Sequence, residues 1–322
     1  MKHLFLFFLL IITSVMVYSQ NPVSITLEAG AKSYFGHTTY DMNERDVNIG
    51  IFSQLKFPLS SIMPGLSAEI LLTLPSMPEI YIKPSCYINV TNPYLPMIDK
   101  DWVQFGYYPK LMFSYTESRE EMFFLLAELL FSSNLLKKDY DFLFFNAGYR
   151  FEYINQHAIG FKGWQTDIRD GGTYDTGFFD VPDEGIIYDI YYHSLILGLG
   201  LKYKKPVSWN IDANYMLLWI ADIDDHVLRN KLSEASGIGH GFDSSVGVKL
   251  YLGGKNSKSN PYIKLAGNFK FMAADLEQTQ TYYGDDLGFP GDQTGEVSEK
   301  IDHQITSLQY DLAIVFGFEI GN

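Results

Sequence analysis

A single cysteine, Cys86, stands in a chain of 322 residues, so no internal disulfide forms and a disulfide-stapled scaffold is excluded. Long apolar runs are also missing. Past residue 17 no stretch is long and uninterrupted enough for a transmembrane helix, which needs about 20 apolar residues. Positive charge is scarce: 24 Lys and Arg stand against 38 Asp and Glu, a formal net charge of −14. A polyanion such as nucleic acid would be repelled, whereas cationic peptides would be attracted. No internal repeat, linker or low-complexity tract divides the chain. Cys86 reads as a small buried or lipid-facing residue.

Aromatic residues, by contrast, are abundant, at 16% of the chain with 24 Phe and 23 Tyr. Such enrichment suits the aromatic girdles of a membrane barrel. The N-terminus reads as a secretory signal peptide: Met1-Lys2-His3 is basic, Leu4 to Val17 is apolar, and Val17-Tyr18-Ser19 ends it with small outer residues. Cleavage is expected after Ser19, leaving residues 20–322 as one domain. No cysteine follows to carry a lipid anchor.

Period-two alternation marks the strands. It runs over residues 24–31, 47–57, 66–74, 79–90, 140–153, 186–203, 209–221, 242–252, 261–274 and 305–320, with a more apolar stretch at 123–131. Short links are expected at 75–78, 132–139, 204–206 and 253–260. Long polar links are expected at 36–46, 91–121, 157–185, 222–241 and 275–304. Short turns on one side and long loops on the other predict an all-β transmembrane antiparallel barrel of about ten strands, both termini at the short-turn side. A soluble β-sandwich or lipocalin-like barrel is the rival. The outward aromatics and the even strand count favour the membrane, with the long loops outside the cell.

Two acidic segments fall on the long-loop side: Met97-Ile98-Asp99-Lys100-Asp101-Trp102 and Asp222-Ile223-Asp224-Asp225-His226. Each is placed where a strand pattern gives way to a loop. They offer a carboxylate pair and a carboxylate–imidazole pair, enough to hold and activate a water between them. A metal site is not expected, because the second segment lacks the Gly and terminal Glu of a Ca²⁺ loop and holds one His. His37, His157, His193, His240 and His303 have no partner at fixed spacing and read as surface groups. Ser194 beside His193 lies mid-strand, where neighbours face opposite ways, so the pair is no nucleophile–base couple. Asp170-Gly171-Gly172 and Gly253-Gly254 are turn chemistry, and residues 180–184 read as a solvated rim.

Jointly these motifs resemble the omptin family of outer-membrane proteases. The first segment is similar to the omptin motif Met-Val-Asp-Gln-Asp-Trp, and Asp224-Asp225-His226 to the omptin Asp-Glu-His. Smaller matches run in the same order: Ser53-Gln54-Leu55, Met77-Pro78, Glu117-Ser118-Arg119 and Ala147-Gly148-Tyr149. The resemblance implies an aspartic-type endopeptidase that needs no cofactor. His226 would be the general base, Asp224 would orient it, and Asp99 and Asp101 would hold the water and handle a proton. It places Asp222 in a pocket for a basic side chain, with Asp41 or Glu44 as the second carboxylate. Peptides with basic residues and outer-membrane lipid are the partners it implies.

Departures from the family pattern are also plain. Phe151 and Tyr153 stand where the family has charged lipopolysaccharide ligands, which removes that basis for lipopolysaccharide dependence. The chain ends Phe318-Glu319-Ile320-Gly321-Asn322, without a terminal aromatic. A non-catalytic barrel, adhesin or structural protein, is the alternative reading. A passive pore fits less well, since barrels of this size are filled by their own side chains.

Overall fold

A computed structural model describes residues 23–45, 49–73, 78–137, 141–166, 176–203, 207–252, 259–284 and 294–320. The signal peptide and the turn readings at 75–77, 170–172, 204–206 and 253–254 lie outside them. Twelve strands run in chain order through the described residues: β1 Val23–Arg45, β2 Ile49–Pro58, β3 Ser61–Leu72, β4 Ile80–Ile88, β5 Met97–Phe105, β6 Leu111–Lys137, β7 Asp141–Thr166, β8 Thr176–Tyr203, β9 Ser208–His226, β10 Lys231–Tyr251, β11 Ser259–Tyr282 and β12 Val297–Ile320.

All pairings are antiparallel, and β12 pairs with β1 from Ile25↔Ile320 to Asn43↔Asp302, so the sheet closes into a barrel without a free edge. The twelve strands make ten staves. β2 and β3 lie end to end along β1, and β4 and β5 lie end to end along β6. The first break sits beside Gly36, whose φ of +126° admits no side chain without strain, and whose carbonyl accepts from the Leu59 amide at 3.0 Å. A Cβ there would lie 2.0 Å from the Leu308 carbonyl oxygen.

Alternation sorts the side chains. Leu195, Leu197, Leu199 and Leu201 of β8, Ile211, Tyr215, Leu217 and Trp219 of β9, and Leu312, Ile314, Phe316 and Phe318 of β12 all point outward and exposed. Such a belt is the lipid-facing surface of a barrel. Phe316 and Phe318 are part of it near the chain end. The lumen at the same level is filled by paired charges: Arg150 with Glu128 and with Asp243 at 2.7 Å, Lys270 with Glu152, and Lys32 with Asp311 at 3.4 Å. Around them is a polar cavity of about 240 Å³. Tyr34, Tyr40, Phe57, Phe124, Tyr188 and Tyr192 belong to one buried cluster, with Tyr34 packed on Phe124 and Tyr40 on both Phe57 and Tyr188. The barrel is therefore filled rather than hollow.

The strands outrun their sequence pattern. The long link expected at 36–46 is strand through Arg45. Those at 157–185, 222–241 and 275–304 shrink because β7, β8, β9, β10, β11 and β12 continue into them, and 91–121 holds β5 and the start of β6. The short link at 132–139 is likewise strand through Lys137. Above the belt the outward positions turn polar, as with Glu117, Arg119 and Glu121 of β6 and Glu234 of β10. Backbone pairing continues there, but the apolar-outward rhythm that marks a membrane strand is gone.

Candidate active site

Both acidic segments lie in strands, not loops. Asp99 and Asp101 belong to β5, and Asp222, Asp224 and His226 to the last residues of β9. The period of two puts Asp222, Asp224 and His226 on the inner face, each buried, while Ile223 and Asp225 turn outward. Asp225 is engaged there by the Tyr283 hydroxyl at 2.8 Å. Asp99 pairs in register with Leu55 and Thr116, both buried, and so shares their inward face; Asp101, two residues on, follows it. A 3-10 turn at Val227–Arg229 and an αL Asn230 (φ 52°) then reverse the chain into β10, bringing Arg229 and Lys231 to the mouth.

The two segments meet across the mouth. Burial pushes the Asp99 carboxyl well above the ordinary carboxylate range, and the charges of Asp101 and Asp224 push it further; Arg229 and Lys231 act in the opposite direction. The His226 Nδ1 lies 3.1 Å from Asp224 Oδ2, close but not aligned as a hydrogen bond. Asp99 Oδ1, Asp224 Oδ1 and His226 Nδ1 are all covered from solvent, and none makes a hydrogen bond within the chain. Buried polar atoms normally find partners, and these three belong to side chains that act on one another, Asp99 with Asp224 and Asp224 with His226.

Its overall shape has a counterpart. The outer-membrane protease OmpT from Escherichia coli matches with a TM-score of 0.69 at 12% identity, over 95% of this chain and 99% of that one. The fold is that of an omptin-like outer-membrane barrel. At this identity the likeness is one of fold alone. The transport unit of the autotransporter AIDA-I from Escherichia coli reaches a TM-score of 0.32 at 8% identity, over 94% of this chain and 91% of that one. No protein-family model matches the chain, and no curated protein does.

The remaining expected residues divide. Asp222 is on the inner face next to the dyad, but it is already engaged: Tyr188 donates its hydroxyl to Oδ2, and His303 Nε2 lies 3.0 Å from the same oxygen. Asp41 faces away from this pocket. It sits between the buried inward residues Tyr40 and Met42 and accepts a hydrogen bond from Gln54 Nε2 at 2.8 Å on the outer side. Glu44 has the parity of Tyr40 and Met42 but is exposed near the end of β1. Asp41 has the outward parity, whereas Glu44 shares the inward parity one step beyond Met42, which is in register with His303.

Reading the other histidines as satisfied surface groups fails at His303 and agrees with His157, His193 and His240, which are half-buried or exposed and partnered. His303 is 3% exposed and bonded to Asp222. His157 pairs with Glu184, His193 with Tyr149 at 2.5 Å and His240 with Tyr215, all across neighbouring staves. No local spacing announces these pairs, since each depends on strand register. Ser194 and His193 do point to opposite faces: Ser194 is buried inside and His193 packs outside on Trp219. Cys86 is exposed on the outer face.

Proposed function

We propose that this chain is an outer-membrane endopeptidase of omptin type, with its site open to the outside of the cell and a preference for basic side chains next to the scissile bond. One observation carries the reading: three covered and unpartnered polar atoms, on Asp99, Asp224 and His226, are gathered at one end of an omptin-like barrel. A water held between Asp99 and His226 would lose its proton to the imidazole as it attacks the peptide carbonyl. Asp224, at 3.1 Å from Nδ1, would hold the ring so that the other nitrogen faces the water, and would stabilise the imidazolium that forms. Asp99, kept protonated by burial and by Asp101, can donate to the oxyanion of the tetrahedral intermediate. Asp222 supplies the negative charge of the side-chain pocket, and its Oδ1 remains unpartnered. The apolar outer belt supports anchoring in outer-membrane lipid.

The refolded protein in detergent, incubated with a peptide library and read by product mass, tests the reading. Cleavage beside Lys or Arg is expected. A folded barrel that cuts nothing would favour the adhesin reading. A tag at Asp180, an exposed position of β8, should be reachable on intact cells; access only after lysis would reverse the orientation.

A further inference from the structure

The pocket acid carries two donors from other staves, and both land on one oxygen. Tyr188 of β8 and His303 of β12 each bond Asp222 Oδ2, while Oδ1 is covered and unpartnered. The donors are held rigidly. Tyr40 packs on Tyr188 with ring centroids 4.1 Å apart, and stacks parallel to His303 at 6.1 Å with an interplanar angle of 2°. Tyr40, Tyr188 and His303 are all buried.

A carboxylate oxygen accepts along two lone-pair directions, so two donors use up Oδ2. An arginine guanidinium meets a carboxylate best through two parallel N–H···O bonds, one to each oxygen. That geometry is closed at Asp222. A lysine ammonium is a compact point charge that needs a single oxygen, and Oδ1 is free. We propose that His303, together with Tyr188, sets this pocket for a lysine side chain in preference to arginine. His303 is then a specificity-determining residue, acting through the oxygen it occupies. The inference rests on the endopeptidase reading and narrows its substrate class.

Two peptides of one sequence, differing only in Lys or Arg next to the scissile bond, give the test with the full chain refolded in detergent. The wild type should favour Lys by about tenfold in kcat/KM, the worth of one bond to a charged group. His303→Leu opens one acceptor position on Oδ2 beside the Tyr188 hydroxyl and should bring the ratio toward one, mainly by raising the Arg rate relative to Lys. His303→Gln, whose amide N–H can still reach Oδ2, should keep the lysine preference. If His303→Leu fails the heat-shift gel assay for a folded barrel, Tyr188→Phe removes the other donor and must lower the ratio. Equal wild-type rates, a preference for Arg, or a ratio unmoved in the folded variants would overturn the proposal and leave the protease standing. Cleavage at neither Lys nor Arg would overturn the pocket, whereas a wild type that cuts no library peptide would overturn the protease and this inference with it.

Discussion

The lumen and the mouth of this barrel use the same residue types to opposite ends. In the lumen carboxylates sit against cations: Arg150 holds both Glu128 and Asp243, Lys270 holds Glu152, whose second oxygen is left without a partner, and Lys264 holds Glu28 at 3.3 Å. At the mouth the carboxylates of Asp99 and Asp224 and the ring of His226 are covered, yet leave an oxygen or a nitrogen without a partner. Burying a polar atom unpaired costs free energy, about 1–3 kcal/mol each. In the proposed reading, the atoms left unpaired at the mouth are those that meet a substrate and a water. Charge count would not separate the two regions. Which groups stand together does: cations against carboxylates in the lumen, carboxylates against one another and against an imidazole at the mouth.

That contrast breaks if mutations at the mouth act like mutations in the lumen. The largest effect should come from Asp99→Ala, which removes one side of the water clamp and should abolish most peptide hydrolysis while the barrel still shifts on heating in gels. Asp224→Asn should keep the shape but favour the wrong tautomer, with a loss on the order of 10²–10⁴ in kcat, read in the same peptide assay. Arg150→Met should do the reverse. It strands Glu128 and Asp243 and should cost about 3–5 kcal/mol of stability in urea titrations, with the rate per folded molecule kept. Asp222→Asn should weaken cleavage beside basic residues by about 1.5–3 kcal/mol, and equal wild-type rates on neutral and basic peptides would remove the pocket from the account.

The smallest effect sharpens the comparison through pH. Burial raises the Asp99 carboxyl in the folded chain, so the folded state keeps a proton that the unfolded state releases. Stability present below the unfolded value, about pH 4, is lost as pH rises toward the folded value. Asp99→Asn cannot ionise and escapes that loss. The variant should therefore be more stable than wild type near pH 8 and not near pH 4, as measured by thermal unfolding in detergent.

Much of the plan was legible because lipid imposes a strict rhythm. The apolar-outward alternation of residues 186–203 and 305–320 survives as β8 and β12, and the ten-strand plan survives as ten staves. The rhythm stops at the top of the belt, so Glu117 to Glu121 looked like loop although the ladder runs on through them. The sequence puts Asp222, Asp224 and His226 in a loop, and only their place in β9 sets them on one face, because two residues is the repeat of a strand. Local spacing has no means to bring in His303, which meets Asp222 from 81 residues away through barrel closure. Of the two carboxylates that the resemblance offers for the pocket, Asp41 and Glu44, parity turns Asp41 outward onto Gln54.

If the unpartnered atoms at the mouth are catalytic, His226 is the residue whose loss is felt most directly. Peptide hydrolysis by His226→Ala against wild type, both normalised to heat-shifting folded barrel, is the test. The variant should fall below a few per cent of the wild-type rate on the best peptide, and adding Asp224→Asn should make it hardly worse, because residues acting as a unit are not additive. A folded His226→Ala barrel that retains more than a few per cent of the rate would contradict the account.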